Sequence, residues 1–146
     1  MYGRPQAAPP TAAEAAAAPA AMDSACERED AAGLVALLQR HAADPALAAK
    51  ACGRVYNLAG MNPAAQGALG EAGAVAAVLA AMRAHAAEAE VQGRGCYALY
   101  CLVKQHAANA ASARAAGAAA AVRTAMGNHP GNGYLQGNCR NLLKIL

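Results

Sequence analysis

The residues of this chain whose types could do chemistry are four histidines, five cysteines and two glycine-rich stretches. His41, His85, His106 and His129 are metal ligands by type, but His41, His85 and His129 recur at one step of 44 positions. Histidines at one place on successive stacked helices stand about 10 Å apart, too far to share an ion, and such residues are explained as recurring helix-end groups. The cysteines Cys26, Cys52, Cys96, Cys101 and Cys139 are odd in number and contain no C-x-x-C pair, so they signal neither zinc nor a disulfide framework. They read as reduced thiols that serve as small core residues in a cytoplasmic or nuclear protein. Gly93-Arg94-Gly95-Cys96-Tyr97-Ala98 matches G-x-G-x-x-A in letters, yet it lies within a helical pattern with no strand before it and so lacks the strand, turn and helix that cradle a phosphate. The loop GNHPGNG is not followed by Lys and Ser or Thr, no Ser stands with a His and an acid in a recognisable triad, and the nine acids form no paired site. The expectation is a chain with no catalytic residue, no cofactor and no metal.

The element that would position any of these groups is the stretch from Val91 to Val103, VQGRGCYALYCLV. Val91, Ala98, Leu99 and Leu102, with small Gly95 between, fall on one stripe of a helix. The segment LQGNCRNLLKIL, Leu135 to Leu146, repeats it 44 positions later without gaps: Gln136 matches Gln92, Gly137 matches Gly93, Leu143 matches Leu99 and Leu146 matches Leu102. One step earlier, Cys52, Val55 and Leu58 match Cys96, Leu99 and Leu102. Three copies of one helical unit are therefore present.

The segments between the copies repeat as well. Leu34, Val35, Leu37 and Leu38 predict a helix from about Asp30 to His41, and Asp44-Pro45 supplies an N-cap and first-turn proline for the next, which runs to about Gly60 with Leu47, Ala51, Val55 and Leu58 on its stripe. Asn62-Pro63 caps a short helix through about Ala72. Gly73 then turns the chain into a helix carrying Val75, Val78, Leu79 and Met82, and Gly117 does the same one unit later, with Met126 at the place of Met82. The alanine-rich KQHAANAASARAA takes the place of the short helix, and the last helix is expected from about Tyr134 to Leu146.

Composition limits what such a stack can be. The chain is 57% hydrophobic and 14% charged, but much of the apolar share is alanine, with neither Phe nor Trp, so the core must be thin and the helices closely spaced. The net charge of +3 comes from scattered Lys and Arg, which argues against a phosphate-binding surface. No apolar run reaches the roughly 18 to 20 residues that cross a bilayer. Residues 1–21, with four prolines among alanines, are expected to be a disordered tail, and the absence of a basic start before a leucine-rich core argues against a secretory signal. An organelle transit peptide stays open, and Met22 opens a second start for the chain.

A unit of one short and two longer helices with a glycine at the short-to-long junction resembles the armadillo family. The wording GAVAAVLAAMRAHAAEAEVQGRGCYALYCLV is similar to the branch with "AM..H" before "VQ..GC.AL..L", also seen in the N-terminal region of leucine-rich-repeat kinases. The resemblance covers roughly Asp30 to Leu146 and implies an all-α, right-handed superhelical solenoid of about 2.5 to 3 three-helix repeats, at about 30–72, 73–116 and 117–146, within a domain spanning 22–146. HEAT repeats, with two helices and a similar length, are the structural alternative. In peptide-binding armadillo proteins a Trp, and an Asn four residues on, recur on the third helix. Here the Trp place holds Gly53, Tyr97 and Asn141 and the Asn place holds Asn57, Cys101 and Ile145, so only Asn57 keeps the family's residue and the importin-like Asn ladder is missing.

Helical geometry alone puts Arg94, Tyr97, Tyr100, Cys101 and Lys104 opposite Leu99 and Leu102, with Tyr56, Asn57 and Gly60 before them and Asn141 and Lys144 after. Tyr and Arg are frequent interface anchors, although tyrosines that cover neighbouring alanines with their hydroxyls in water account for the same pattern. The expected function is non-catalytic protein binding, as a scaffold or adaptor that takes a protein or peptide ligand along this groove. A regulatory part of a larger enzyme, such as a kinase or ubiquitin ligase, is the alternative, and a helical-repeat nucleic-acid binder a more distant one. Because Leu142, Leu143, Ile145 and Leu146 close the sequence with no polar capping helix after them, the last unit is expected to expose apolar surface to further chain, a partner or a second copy.

Overall fold

A computed structural model describes residues 7–146. Among them the chain is all-α, with α1 Ala12–Glu27, α2 Ala31–Arg40, α3 Pro45–Met61, α4 Pro63–Glu71, α5 Ala74–Ala84, α6 Ala89–Val103, α7 Ala107–Ala115, α8 Ala118–Asn128 and α9 Gly133–Leu143. The helices start where local chemistry supplies their first N–H groups with acceptors. Asp30, Asp44, Asn62 and Asn132 accept at the starts of α2, α3, α4 and α9, and Pro45 and Pro63 fill first-turn positions that donate no hydrogen bond. His106 stands at the place of Asn62 one unit on and caps α7 through its ring, accepting from the Asn109 N–H at 3.1 Å.

Helices that occupy the same place in successive units lie side by side. α3 packs on α6 and α6 on α9, while α2 and α5 and then α5 and α8 form a second row behind them. On α3 and α6 the buried residues are the stripes anticipated above, Leu47, Val55 and Leu58 and then Val91, Leu99 and Leu102, with Val75, Val78, Leu79 and Met82 between the rows; on α9 Leu135 and Leu142 are buried, whereas Leu143 and Leu146, the matches of Leu99 and Leu102, are only half-buried. Gly95 matters because a Cβ there would fall 2.6 Å from Met82 Cγ; its absence lets α5 and α6 approach closely.

The turn into each unit also recurs. Gly73 and Gly117 are left-handed, with φ of 91° and 78°, and the same place in the first unit holds Glu29, which adopts φ 55° despite its side chain.

Two expectations need correction. Residues 12–21 are not a disordered tail: α1 begins at a capping box in which Thr11 Oγ1 accepts from the Glu14 N–H and Glu14 accepts from the Thr11 N–H, and Pro19 is accommodated inside the helix. Ala18, Met22 and Ala25 give it a buried face at i, i+4 and i+7, a stripe that an alanine background hides. α1 packs on α3 and α2, so α3 lies between α1 and α6 as α6 lies between α3 and α9. Asp23 holds it there, accepting from Arg54 Nε at 2.6 Å and paired with Lys50 Nζ at 3.1 Å. The part of that tail formed by residues 1–6 lies outside the described residues.

The end of the chain also differs from expectation. α9 stops at Leu143 rather than at Leu146, Leu142 is fully buried, and Leu143, Ile145 and Leu146 are half-buried. Arg114 donates to the carbonyls of Ile145 and Leu146, which turns the last residues back against α7. The large exposed hydrophobic residues among those described are Met61 and Tyr134. The exposed positions of α8 and α9 include Ala120, Arg123, Thr124, Arg140 and Asn141, while Met126, Leu143, Ile145 and Leu146 are partly covered.

No single helix is long and apolar enough to cross a membrane; α4 and α5 together reach that length but are bent by 70°.

Two outcomes follow from the turns and from α1. Glu29→Gly removes left-handed strain and is expected to raise unfolding stability by about 0.5 to 1 kcal/mol, whereas Gly73→Ala is expected to lower it by about 1 kcal/mol, both measured by denaturant unfolding. Glu14 is held down to about 2, first by the Thr11 N–H and then by Arg40, and Asp23 is lowered by Arg54 and Lys50. Both carboxyls are more acidic folded than unfolded, so their contribution is whole above their unfolded values and is lost as the pH falls through the folded ones, for Glu14 between about 4.5 and about 2. Hydrogen-exchange protection of α1 should therefore collapse over that interval before protection of α3 and α6 does.

Candidate functional site

The exposed side of the α3, α6 and α9 row gathers all four tyrosines of the described residues. Tyr56 on α3 meets Tyr97 on α6 edge to face, ring centroids 4.8 Å apart at 62°. Tyr97 and Tyr100, one turn apart, lie nearly parallel with centroids 6.2 Å apart, and Lys104 sets its ammonium 5.6 Å from the centre of the Tyr100 ring. This spacing follows from α6 itself: positions 97, 100, 101 and 104 fall on one face, and Leu99 and Leu102 hold the opposite face in the core.

Tyr97, Tyr100, Cys101 and Lys104 line a half-open cleft of about 260 Å³, closed on the far side by Ala59, Gly60, Pro63, Gln66 and Gln105. The end of α6 that forms its floor is held by side chains of neighbouring helices. Gln66 Nε2 donates to the carbonyls of Cys101, Leu102 and Lys104, and Asn109 Nδ2 donates to Leu102 and to Gln66. Carbonyls that α6 cannot satisfy by itself are thereby paired, and the Lys104 backbone is fixed.

Arg94 sits one turn before Tyr97. Its guanidinium pairs with Glu90 at 2.8 Å and reaches towards α3, where it donates to the Ala49 carbonyl at 3.4 Å. The arm fits because Gly53 has no side chain: a Cβ at Gly53 would touch Arg94 Nη1 at 3.4 Å. The space beside Gly53 is thus given over to an arginine from the next unit.

Apart from the Arg94–Glu90 ion pair, the ionised group on this face is the Lys104 ammonium. The Tyr97 hydroxyl is raised above its ordinary pKa, first by the charge Cys101 would carry and then by burial; burial raises Cys101 and Tyr134 as well. Hydroxyls and thiol are therefore protonated donors at neutral pH, and the uncompensated positive charge comes from Lys104. No carboxylate lies within ion-pair range of Lys104 among the described residues.

Of the nine groove residues expected from the sequence, Tyr56, Arg94, Tyr97, Tyr100, Cys101 and Lys104 come together. Asn57 does not: it lines a separate cleft between α1 and α3 with Asp23, Cys26, Glu27 and Arg54. Asn141 and Lys144 are exposed towards the end of α9 and line no part of the cleft beside Lys104. Tyr134 belongs to the site and was not expected there. It lies over Gly93, so that a Cβ at Gly93 would meet its ring at 3.4 Å, and it stands close enough to Tyr56, Tyr97 and Arg94 to share their field. One turn along α9, Asn138 Nδ2 is buried without a hydrogen-bond partner, the one such side-chain atom among the described residues.

The histidines are accounted for by the stack. Nε2 of His85 contacts the Ala42 carbonyl at 2.6 Å and Nε2 of His129 contacts the Ala86 carbonyl at 3.0 Å, each tying one unit to the loop of the unit before. A carbonyl only accepts, so each ring carries its proton on Nε2. His41, one step earlier, is buried beside Pro10 and Ala15. In comparisons with known proteins, no family model, no curated protein and no solved structure matches this chain.

Proposed function

We propose that this chain is a non-catalytic protein-binding module of the armadillo type, a right-handed solenoid working as a scaffold or adaptor in the cytoplasm or nucleus. The observation that carries the reading is the convergence of Tyr56, Tyr97, Tyr100 and Tyr134 with Arg94 and Lys104 on one open face of stacked third helices. Aromatic rings and arginine supply large contact area at small entropic cost, and they are the residue types that anchor interfaces. The left-handed turns at 29, 73 and 117 and the 44-residue step support the solenoid.

The ligand this face fits is an extended protein segment with an apolar or aromatic residue for the cleft and an acidic group for Lys104. Phosphate chains fit less well, because Lys50, Arg54 and Arg94 are each paired with a carboxylate already.

Selection of a random peptide library on the immobilised chain tests this. Recovered peptides should carry acidic and aromatic residues and should bind a Tyr100→Ala, Lys104→Ala double variant at least tenfold more weakly, as loss of about 1.4 kcal/mol requires. Lys104 is exposed and Tyr100 lies half-buried at the edge of the core, so the melting temperature should fall by only a few degrees, roughly 5 °C at most. Peptides that bind wild type and variant equally would place recognition elsewhere.

A further inference from the structure

Cys96 on α6 and Cys139 on α9 are free thiols, both fully buried, with their sulfurs 3.0 Å apart in a sulfur–sulfur hydrogen bond. We propose that this pair is an oxidation site at which a small-molecule disulfide converts the contact into a Cys96–Cys139 disulfide that locks α9 onto α6. A disulfide needs its sulfurs at about 2.05 Å, so the two need close by only about 1 Å between helices already in contact. The other cysteines are placed differently: Cys26 and Cys101 are partly exposed, and Cys52 is buried on α3, where burial pushes its thiol up to about 12.

The exchange balances with glutathione disulfide as oxidant. The Cys139 thiolate attacks one glutathione sulfur, the glutathione S–S bond breaks, and one glutathione thiolate leaves and takes a proton. Cys96 then gives its proton to water and attacks the Cys139 sulfur, expelling the second glutathione. Two protein thiols are oxidised and one disulfide is reduced to two thiols. The order follows from the pair: the hydrogen bond between the thiols holds Cys139 below its ordinary pKa and, with burial, Cys96 above it. Access requires α9 to open locally from α6 and α8, its main packing partners. Locking it also fixes Tyr134 over Gly93, the third wall of the tyrosine cluster.

The test uses the full reduced chain, equilibrated with glutathione disulfide with and without urea below the unfolding transition, then acid-quenched, unfolded, alkylated and analysed by mass spectrometry. The expected product is a species two mass units lighter, with Cys96 joined to Cys139 in the peptide map and a melting temperature higher by about 5 to 10 °C. Cys139→Ser should abolish both changes while Cys26 and Cys101 still take glutathione, and Cys52→Ser should leave both changes in place. The proposal is overturned if Cys96 and Cys139 remain alkylatable in both conditions, if the bond formed uses Cys52, or if the oxidised chain is no more stable than the reduced one.

Discussion

The architecture depends on amide side chains, buried at Gln92 and partly buried at Gln136, that terminate helices in neighbouring elements. Gln92 Nε2 donates to the carbonyls of Met82 and His85 at the end of α5, and Gln136 Nε2 donates to those of Met126 and His129 at the end of α8. His85 and His129 in turn reach the loops of the units before them. Third helix, second helix and preceding unit are thus joined in one chain of hydrogen bonds. An alanine core needs such ties. Alanine surfaces are nearly featureless, so apolar packing between them is compatible with several helix registers, whereas a buried amide is satisfied in only one. The first unit has Ala48 where the later two have Gln92 and Gln136, and it is steadied instead by α1 through Asp23 with Lys50 and Arg54.

The same ties govern the groove. Gln66 and Asn109 pin the end of α6, which fixes Tyr97, Tyr100 and Lys104 relative to one another. The thin core does not compete for the tyrosines: small residues fill the interior, and the aromatic rings are left on the outside, where Gly53 and Gly93 open room for Arg94 and Tyr134. A surface of this kind offers binding area that the fold itself does not consume. The Cys96–Cys139 contact lies directly beneath, in the interface whose stability decides how firmly the Tyr134 side of the groove is held.

Much of this was legible in the sequence, and the parts that were not have physical reasons. The 44-residue recurrence located α2 to α9 to within a few residues, because caps such as Asp44-Pro45 and turns such as Gly73 are local chemistry. The groove side of α6 followed from its apolar stripe. α1 escaped because Ala18, Met22 and Ala25 form a stripe with a single large residue, although the Thr11 to Glu14 capping box was there to be found. Tyr134 escaped because it stands in the first turn of α9, before any stripe could orient it. The cysteine contact escaped because Cys139 aligns with Gly95 rather than with Cys96, so the sulfurs meet one position out of step with the repeat. The roles of Gln92 and Gln136 were invisible for another reason: their recurrence marks the unit, but only the fold shows which carbonyls they satisfy.

The central claim is that these amides, more than the alanine contacts, specify how the helices stack. Gln92→Leu keeps the volume and apolar contacts of the side chain while leaving the Met82 and His85 carbonyls without its donor. Denaturant unfolding combined with hydrogen exchange on this variant tests the claim directly. The account predicts a loss of about 2 to 3 kcal/mol, with protection falling first at the end of α5 and in the adjoining loop. Stability and protection equal to or above those of the parent chain would show that alanine packing sets the register by itself, and would contradict it.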